Sequence, residues 1–214
     1  MKRTILITVL ALASAVFLCT DVLAGKKPQA PNKVIQPGSV SGNRWIFEGR
    51  LVTVPNAADL KKDRLAAEAG DAPAQFRMAL RYDSGTGVPQ DYAESVKWLR
   101  KAADQGLPEA QFNMGSMYMN GLGVPEDPAE GFGWYRKAAF QGHASAQKNV
   151  GAMYGRGQGV AQDHSEAYVW SSIAVMSGNE SAAGNRDVAA SQLSPEQLDA
   201  AQKREAVLYN EIQQ

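Results

Sequence analysis

Cysteine is almost absent: Cys19 is the single one in the 214-residue chain. A lone thiol closes no disulfide within the chain and supplies neither a redox pair nor a thiolate zinc cage. Histidine is nearly as scarce. His143 and His164 both fall in stretches that read as turns, and neither has a partner at metal-ligand spacing, so both read as surface residues. A surplus of one charge is missing as well. Lys plus Arg total 22 and Asp plus Glu total 22, which excludes the broad basic face that nucleic-acid binding requires. Thr4–Leu18 is an apolar run of 15 residues, short of the roughly 20 that a membrane-spanning helix needs. Disorder is excluded by composition, with 44% hydrophobic and 21% charged residues.

The N-terminus reads as an address. Met1-Lys2-Arg3 is positive, Thr4–Leu18 is apolar, and Val22-Leu23-Ala24 places small residues before a cut at Gly25. This three-part pattern predicts a signal peptide over 1–24 and export, to the periplasm or beyond the cell. An uncleaved anchor is the alternative. Lipid attachment at Cys19 is disfavoured because Leu18, just before it, is large. Cleavage would also remove the only thiol. Residues 25–56 follow, with Pro28, Pro31, Pro37, Gly38 and Gly42 predicting a flexible tether. Its end, 44–54, is unexpectedly apolar. It either packs on the first helices or forms a strand or peptide that docks on another surface.

From there the chain repeats itself every 36 residues. Gly70, Gly106, Gly142 and Gly178 keep that step, as do Trp98, Trp134 and Trp170, and Tyr82, Tyr118 and Tyr154. Gln75, Gln111 and Gln147 follow it, and so do Asp91, Asp127 and Asp163, each with Glu three residues on. A fixed period of this length marks a solenoid. Each unit reads as two helices. The first spans about 72–83 in unit one, with Ala74, Met78, Ala79 and Tyr82 spaced for one face. Gly85 ends it, Pro89 prevents continuation, and Asp91 caps a second helix, with Glu94 placed for a capping box. Small residues at Ala79, Gly115 and Gly151 mark a close helix approach, and the repeating tryptophans read as core. Asn56–Gly70 reads as a lone second-type helix. Ser194-Pro195-Glu196-Gln197 starts another that runs to about Ile212. Both suit the ends of an array, which need one wet face.

The motif Ala-Gln-Phe-Asn-Met-Gly-Ser-Met-Tyr at 110–118, then Gly121-Leu-Gly123-Val and Trp134-Tyr-Arg-Lys-Ala-Ala, resembles the Sel-one-like repeat family. That family is a relative of the tetratricopeptide repeats. The resemblance spans 57–178, in units of about 71–106, 107–142 and 143–178, leaving 179–214 for capping helices. It implies an all-α, right-handed α/α solenoid that binds proteins or peptides, with no cofactor, no metal and no catalytic residue in the repeat itself. By analogy with tetratricopeptide repeats, the concave face carries Phe76, Leu80 and Asp83, then Phe112, Ser116 and Met119, then Lys148, Ala152 and Arg156. The two phenylalanines either join that face or lie half-buried between helices.

Chemistry is otherwise thin. Gly155-Arg-Gly157-Gln-Gly159 follows no strand, so it is no phosphate loop. Ser145-Ala-Gln-Lys148 spells the S-x-x-K of serine β-lactamases, without the companion motifs. Cysteine-rich relatives have been linked to β-lactam binding, so a β-lactam-binding or hydrolysing enzyme is the alternative to a non-enzymatic scaffold. Self-association stays open, since three repeats is near the minimum for a stable array.

Overall fold

A computed structural model describes residues 44–47, 50–53 and 59–214. The stretches expected to be a signal peptide, 1–24, and a tether, 25–43, lie outside the described residues. Arg44–Phe47 (β1) and Arg50–Thr53 (β2) pair antiparallel, with Trp45 opposite Val52 and Ile46 opposite Leu51. The apolar stretch of the N-terminal region therefore takes strand conformation.

The remaining described elements are helical. They are α1 Leu60–Glu68, α2 Ala72–Ser84, α3 Tyr92–Asp104, α4 Pro108–Asn120 and α5 Pro128–Phe140. Then come α6 Ala144–Arg156, α7 His164–Met176, α8 Ala183–Ser191 and α9 Pro195–Ile212. Each helix from α1 to α8 packs on its neighbour in the chain, and α9 packs on α7. Contact between neighbours is the signature of a solenoid, and the all-α solenoid expected from the repeat is what forms. The sequence motif decays after Gly178, and α8 and α9 lie in the stretch beyond it.

The turn within each unit explains its residues. Gly85, Gly121 and Gly157 end the first helices in the left-handed conformation, with φ of 72°, 63° and 66°. Asp91 accepts from the amides of Ala93 and Glu94, and Asp127 and Asp163 do the same one and two units on. The expected return bond from Glu94 does not form. The Asp91 amide already donates to the Tyr82 carbonyl at 2.9 Å, so the donor a capping box would use is occupied. Glu94 pairs with Lys97 instead. A complete capping box forms at Ser194 and Gln197, the predicted start of the last helix.

Close approach at the small residues is confirmed. A Cβ at Gly115 would lie 2.6 Å from the Tyr135 ring, and one at Gly151 would lie 2.5 Å from Ser171 Oγ. Trp134 and Trp170 are buried, as expected of core residues. Trp98 is only half-buried, with Lys101 Nζ 4.1 Å from its ring centre.

A polar ladder runs through this apolar stack. Gln75, Gln111 and Gln147 are buried, and each donates its side-chain amide to the carbonyl of Ala67, Ala103 or Ala139 in the helix before. Gln105 and Gln141 then donate to the side-chain oxygens of Gln75 and Gln111, both at 2.7 Å. The next rung is missing. The position 36 residues after Gln141 is Ser177, too short to reach, and Gln147 Oε1 and Ser177 Oγ are both buried without a protein hydrogen bond. Replacing Ser177 by Gln supplies the absent donor. It should raise stability by about 1 kcal/mol, the usual net value of an internal hydrogen bond, read as a shift in urea midpoint at constant slope.

The first unit differs at its core. Arg81 is 1% exposed and Asp63 4% exposed. Their side chains meet at 2.9 Å, with Arg77 joining at 2.8 Å. In the later units the equivalent positions carry apolar pairs, Leu99 with Met117 and Tyr135 with Met153. Removing one partner of a buried ion pair strands a charge, which costs about 3–5 kcal/mol, whereas an apolar pair of similar volume is often as stable or more so. Asp63→Leu alone should therefore destabilise strongly. Asp63→Leu with Arg81→Met should restore or exceed the original midpoint in chemical denaturation, and a double variant as unstable as the single would refute the reading.

Candidate functional site

The nine residues expected on the concave face come from three equivalent helices, α2, α4 and α6. Their surroundings divide them. Phe76 packs against the cluster built on Leu99, Ala110 and Met114. Phe112 stacks on His143 with ring centres 4.6 Å apart and tilts against Tyr135 at 5.4 Å. Met119 lies over Gly131, where a Cβ would come within 2.9 Å of its Cγ and Sδ. These three are half-buried wall residues whose rings or sulfur already have neighbours. Between the two readings of the phenylalanines, the packing favours the half-buried one.

Leu80 lies outside the core clusters and is half-exposed. Ser116 hydrogen-bonds to the buried Tyr135 hydroxyl, as does Asn149, while burial pushes that phenol's pKa up. Burial also pushes the Asp83 carboxyl above its ordinary value. Lys148 donates to Ser181 Oγ at 3.2 Å. Arg156 is exposed and makes no ion pair among the described residues.

The two histidines are not bland surface residues. His143 begins α6 as its cap, its Nδ1 accepting from the Ala146 amide at 3.2 Å, where unit one uses Asp71 for the same task. His164 opens α7 and lines a cavity of 210 Å³ with Ala152, Gly155, Arg156, Ala167 and Asn185. Ala152 and Arg156 were on the expected face; His164 and Asn185 were missed. The signal that would have found them is a break in the repeat. Asp83 and Met119 continue in register to Gly155, not to Arg156, so unit three loses a side chain where unit two has a large one.

Ser145 and Lys148 do not form a nucleophile and base. The Ser145 hydroxyl accepts from Asn179 Nδ2 at 3.4 Å, Ser181 Oγ donates to Asn179 Oδ1 at 2.6 Å, and Lys148 is directed to Ser181. This set ties α6 to the segment after α7 through neutral side chains and a single lysine. Nucleophilic catalysis would need the base on the hydroxyl itself.

Phe112 gives a direct check of this anatomy. Phe112→Ser removes contacts with two rings and should lower stability by about 2 kcal/mol, below the roughly 3–5 of a fully buried aromatic. Leu80→Ser should change the urea midpoint by less than about 0.5 kcal/mol equivalent. Equal losses would mean that the two side chains are buried alike.

The solved structures with this architecture are themselves repeat proteins. A Sel1 repeat protein from Oxalobacter formigenes is 41% identical, with a TM-score of 0.57, over 60% of this chain and 97% of that one. The c5321 protein, a protective antigen of uropathogenic Escherichia coli strains with an SLR fold, is 27% identical with a TM-score of 0.56. That match covers 72% of this chain and 41% of the other, so this chain spans less than half of that protein. No protein of curated function matches the chain. The Sel1 repeat pattern matches three times, over 72–107, 108–143 and 144–179, one residue on from the units read by period. With three consecutive matches over the helix pairs α2–α3, α4–α5 and α6–α7, the chain belongs to the Sel1 repeat family, whose repeats generally serve as protein-interaction scaffolds.

Proposed function

We propose that this protein is an exported, non-enzymatic scaffold of the bacterial cell envelope that captures a protein or peptide on the face formed by α2, α4 and α6. The observation that carries this reading is the Sel1 repeat array itself, which repeats one helix pair three times in succession. On that face Leu80 and Ala152 are half-exposed, outside the core clusters, and Arg156 is unpaired among the described residues. A repeated face with apolar and charged positions suits an extended or helical peptide. Export rests on the N-terminal sequence pattern, with the periplasm as the destination. No helix among the described residues is long and apolar enough to cross a membrane. The hydrogen bonding of Ser145 and Lys148 gives the β-lactam alternative no support.

The test is site-specific photocrosslinking of the full chain in its host. A crosslinker at Leu80 or Ala152 should give one discrete adduct, and one at Lys97, exposed on α3, should not. Leu80→Asp should reduce that adduct with helicity unchanged. Equal adducts from both faces would sink the assignment. The envelope-fraction protein should begin at Gly25, and a retained Met1 would refute cleavage. Nitrocefin turnover that disappears in Ser145→Ala would overturn the non-enzymatic reading.

A further inference from the structure

The cavity at Gly155 has a structural cause. In unit two, Met119 fills the corner between α4 and α5 by lying over Gly131. The equivalents in unit three are Gly155 and Ala167. A Cβ added at Gly155 would sit 3.6 Å from the Ala167 methyl, an ordinary contact, so the corner has not collapsed to replace the missing side chain. Helix α8 walls the space instead, through Asn185, Val188 and Ala189, and 210 Å³ remains.

The lining is chemically one-sided. Its apolar part is small or flat, and it includes Val188, which is 65% exposed with nothing over it among the described residues. Its polar part is Arg156, His164 and Asn185, and no acidic side chain lines it. None of these three side chains hydrogen-bonds to another described residue. The nearest acid in sequence, Asp163, is committed to the amides of Ser165 and Glu166. It thereby also caps α7, so the donors available to a ligand are the three side chains and not the helix end.

We infer that this cavity binds a carboxylate carried on a small apolar body. The Arg156 guanidinium holds the carboxylate, Asn185 and His164 supply further donors, and the apolar part covers Val188 and Ala189. A planar guanidinium matches a carboxylate in geometry and charge. Inorganic phosphate would meet one fixed cation and leave the apolar wall wet. In a captured polypeptide the group is either the C-terminal residue or an acidic side chain. The inference rests on the peptide-capture reading and names the chemistry at one end of that face.

The test titrates the isotope-labelled full chain, followed by its amide NMR shifts, with four probes. They are acetyl-Ala-Val as the free acid, the same dipeptide as its amide, acetyl-Ala-Glu-Ala-amide, and inorganic phosphate. The free acid or the glutamyl peptide should give saturable shifts at Gly151, Gly155, Ala167 and Asn185, with a dissociation constant in the roughly millimolar range of a single small contact. The tighter of the two identifies a chain end or an acidic side chain as the source. The dipeptide amide and phosphate should bind at least about tenfold more weakly. Arg156→Gln, at an exposed position, should weaken binding by a similar factor. Gly155→Met should abolish binding by filling the cavity with the helical fold retained, its side chain taking a path other than that of Met119 because Ala167 carries the methyl that Gly131 lacks. Acid and amide binding alike, phosphate binding as tightly as the acid, absence of saturation, or indifference to Arg156→Gln would overturn the inference. Flat titrations with an intact Leu80 crosslink would remove the cavity proposal and leave the capture reading. Saturable titrations with no crosslink would do the reverse.

Discussion

In units two and three the paired helices approach until a side chain at one position no longer fits. At Gly115 a single added carbon would run into Tyr135, and at Gly151 it would meet both the hydroxyl and the backbone of Ser171. Between units the buried Gln111 and Gln147 reach the carbonyls of Ala103 and Ala139 in the preceding helix. A turn contact also joins one unit to the next. Gly123 has φ of 71°, and a Cβ there would lie 2.3 Å from the Tyr92 carbonyl, so the turn of one unit rests on the start of the second helix of the unit before. Neither contact forms in an isolated unit. Stability is therefore shared between neighbours, as in other one-dimensional arrays.

Where the repeat is broken, the molecule does something the repeat does not. The Asp63–Arg81 pair replaces an apolar contact at the first junction. It gives α1 a partner that none of the later second helices can imitate, since they carry Leu99, Tyr135 and Ser171 at that position. Such a pair adds little net stability over an apolar one, although removing one partner is costly. At the other end Ser177 stops the glutamine ladder, and Gly155 removes the side chain that would have filled a corner. The array is uniform in the middle and individual at both ends.

The fold was legible because the period multiplies weak signals. One Gly or one Asp says little about a turn, but a residue that returns at every step says where each helix stops and starts. The bounds of α2 and α3 follow from such residues, and the start of α9 follows from its capping box at Ser194 and Gln197. Individual side-chain environments were less legible. Phe76 and Phe112 share a register position with Lys148, which reads as a surface stripe. The packing of Phe76 on the core and of Phe112 on His143 and Tyr135 shows that this stripe is partly interior. The capping box at Glu94 failed for a related reason: a carbonyl nine residues earlier in the chain reached the amide first.

The helix pairs, their length, their turns and their number are written in the order of residues, because they depend on local backbone preferences and on spacing along the chain. So are the small residues at which helices must touch. Which polar side chains find partners depends on the packing of one helix against another. Arg81 and Arg156 are the same residue type near the ends of equivalent helices. One is buried against an aspartate 18 residues earlier in sequence, and the other faces a cavity with no acid in it. That difference depends on what the neighbouring helix places opposite, and spacing within a helix carries no record of it.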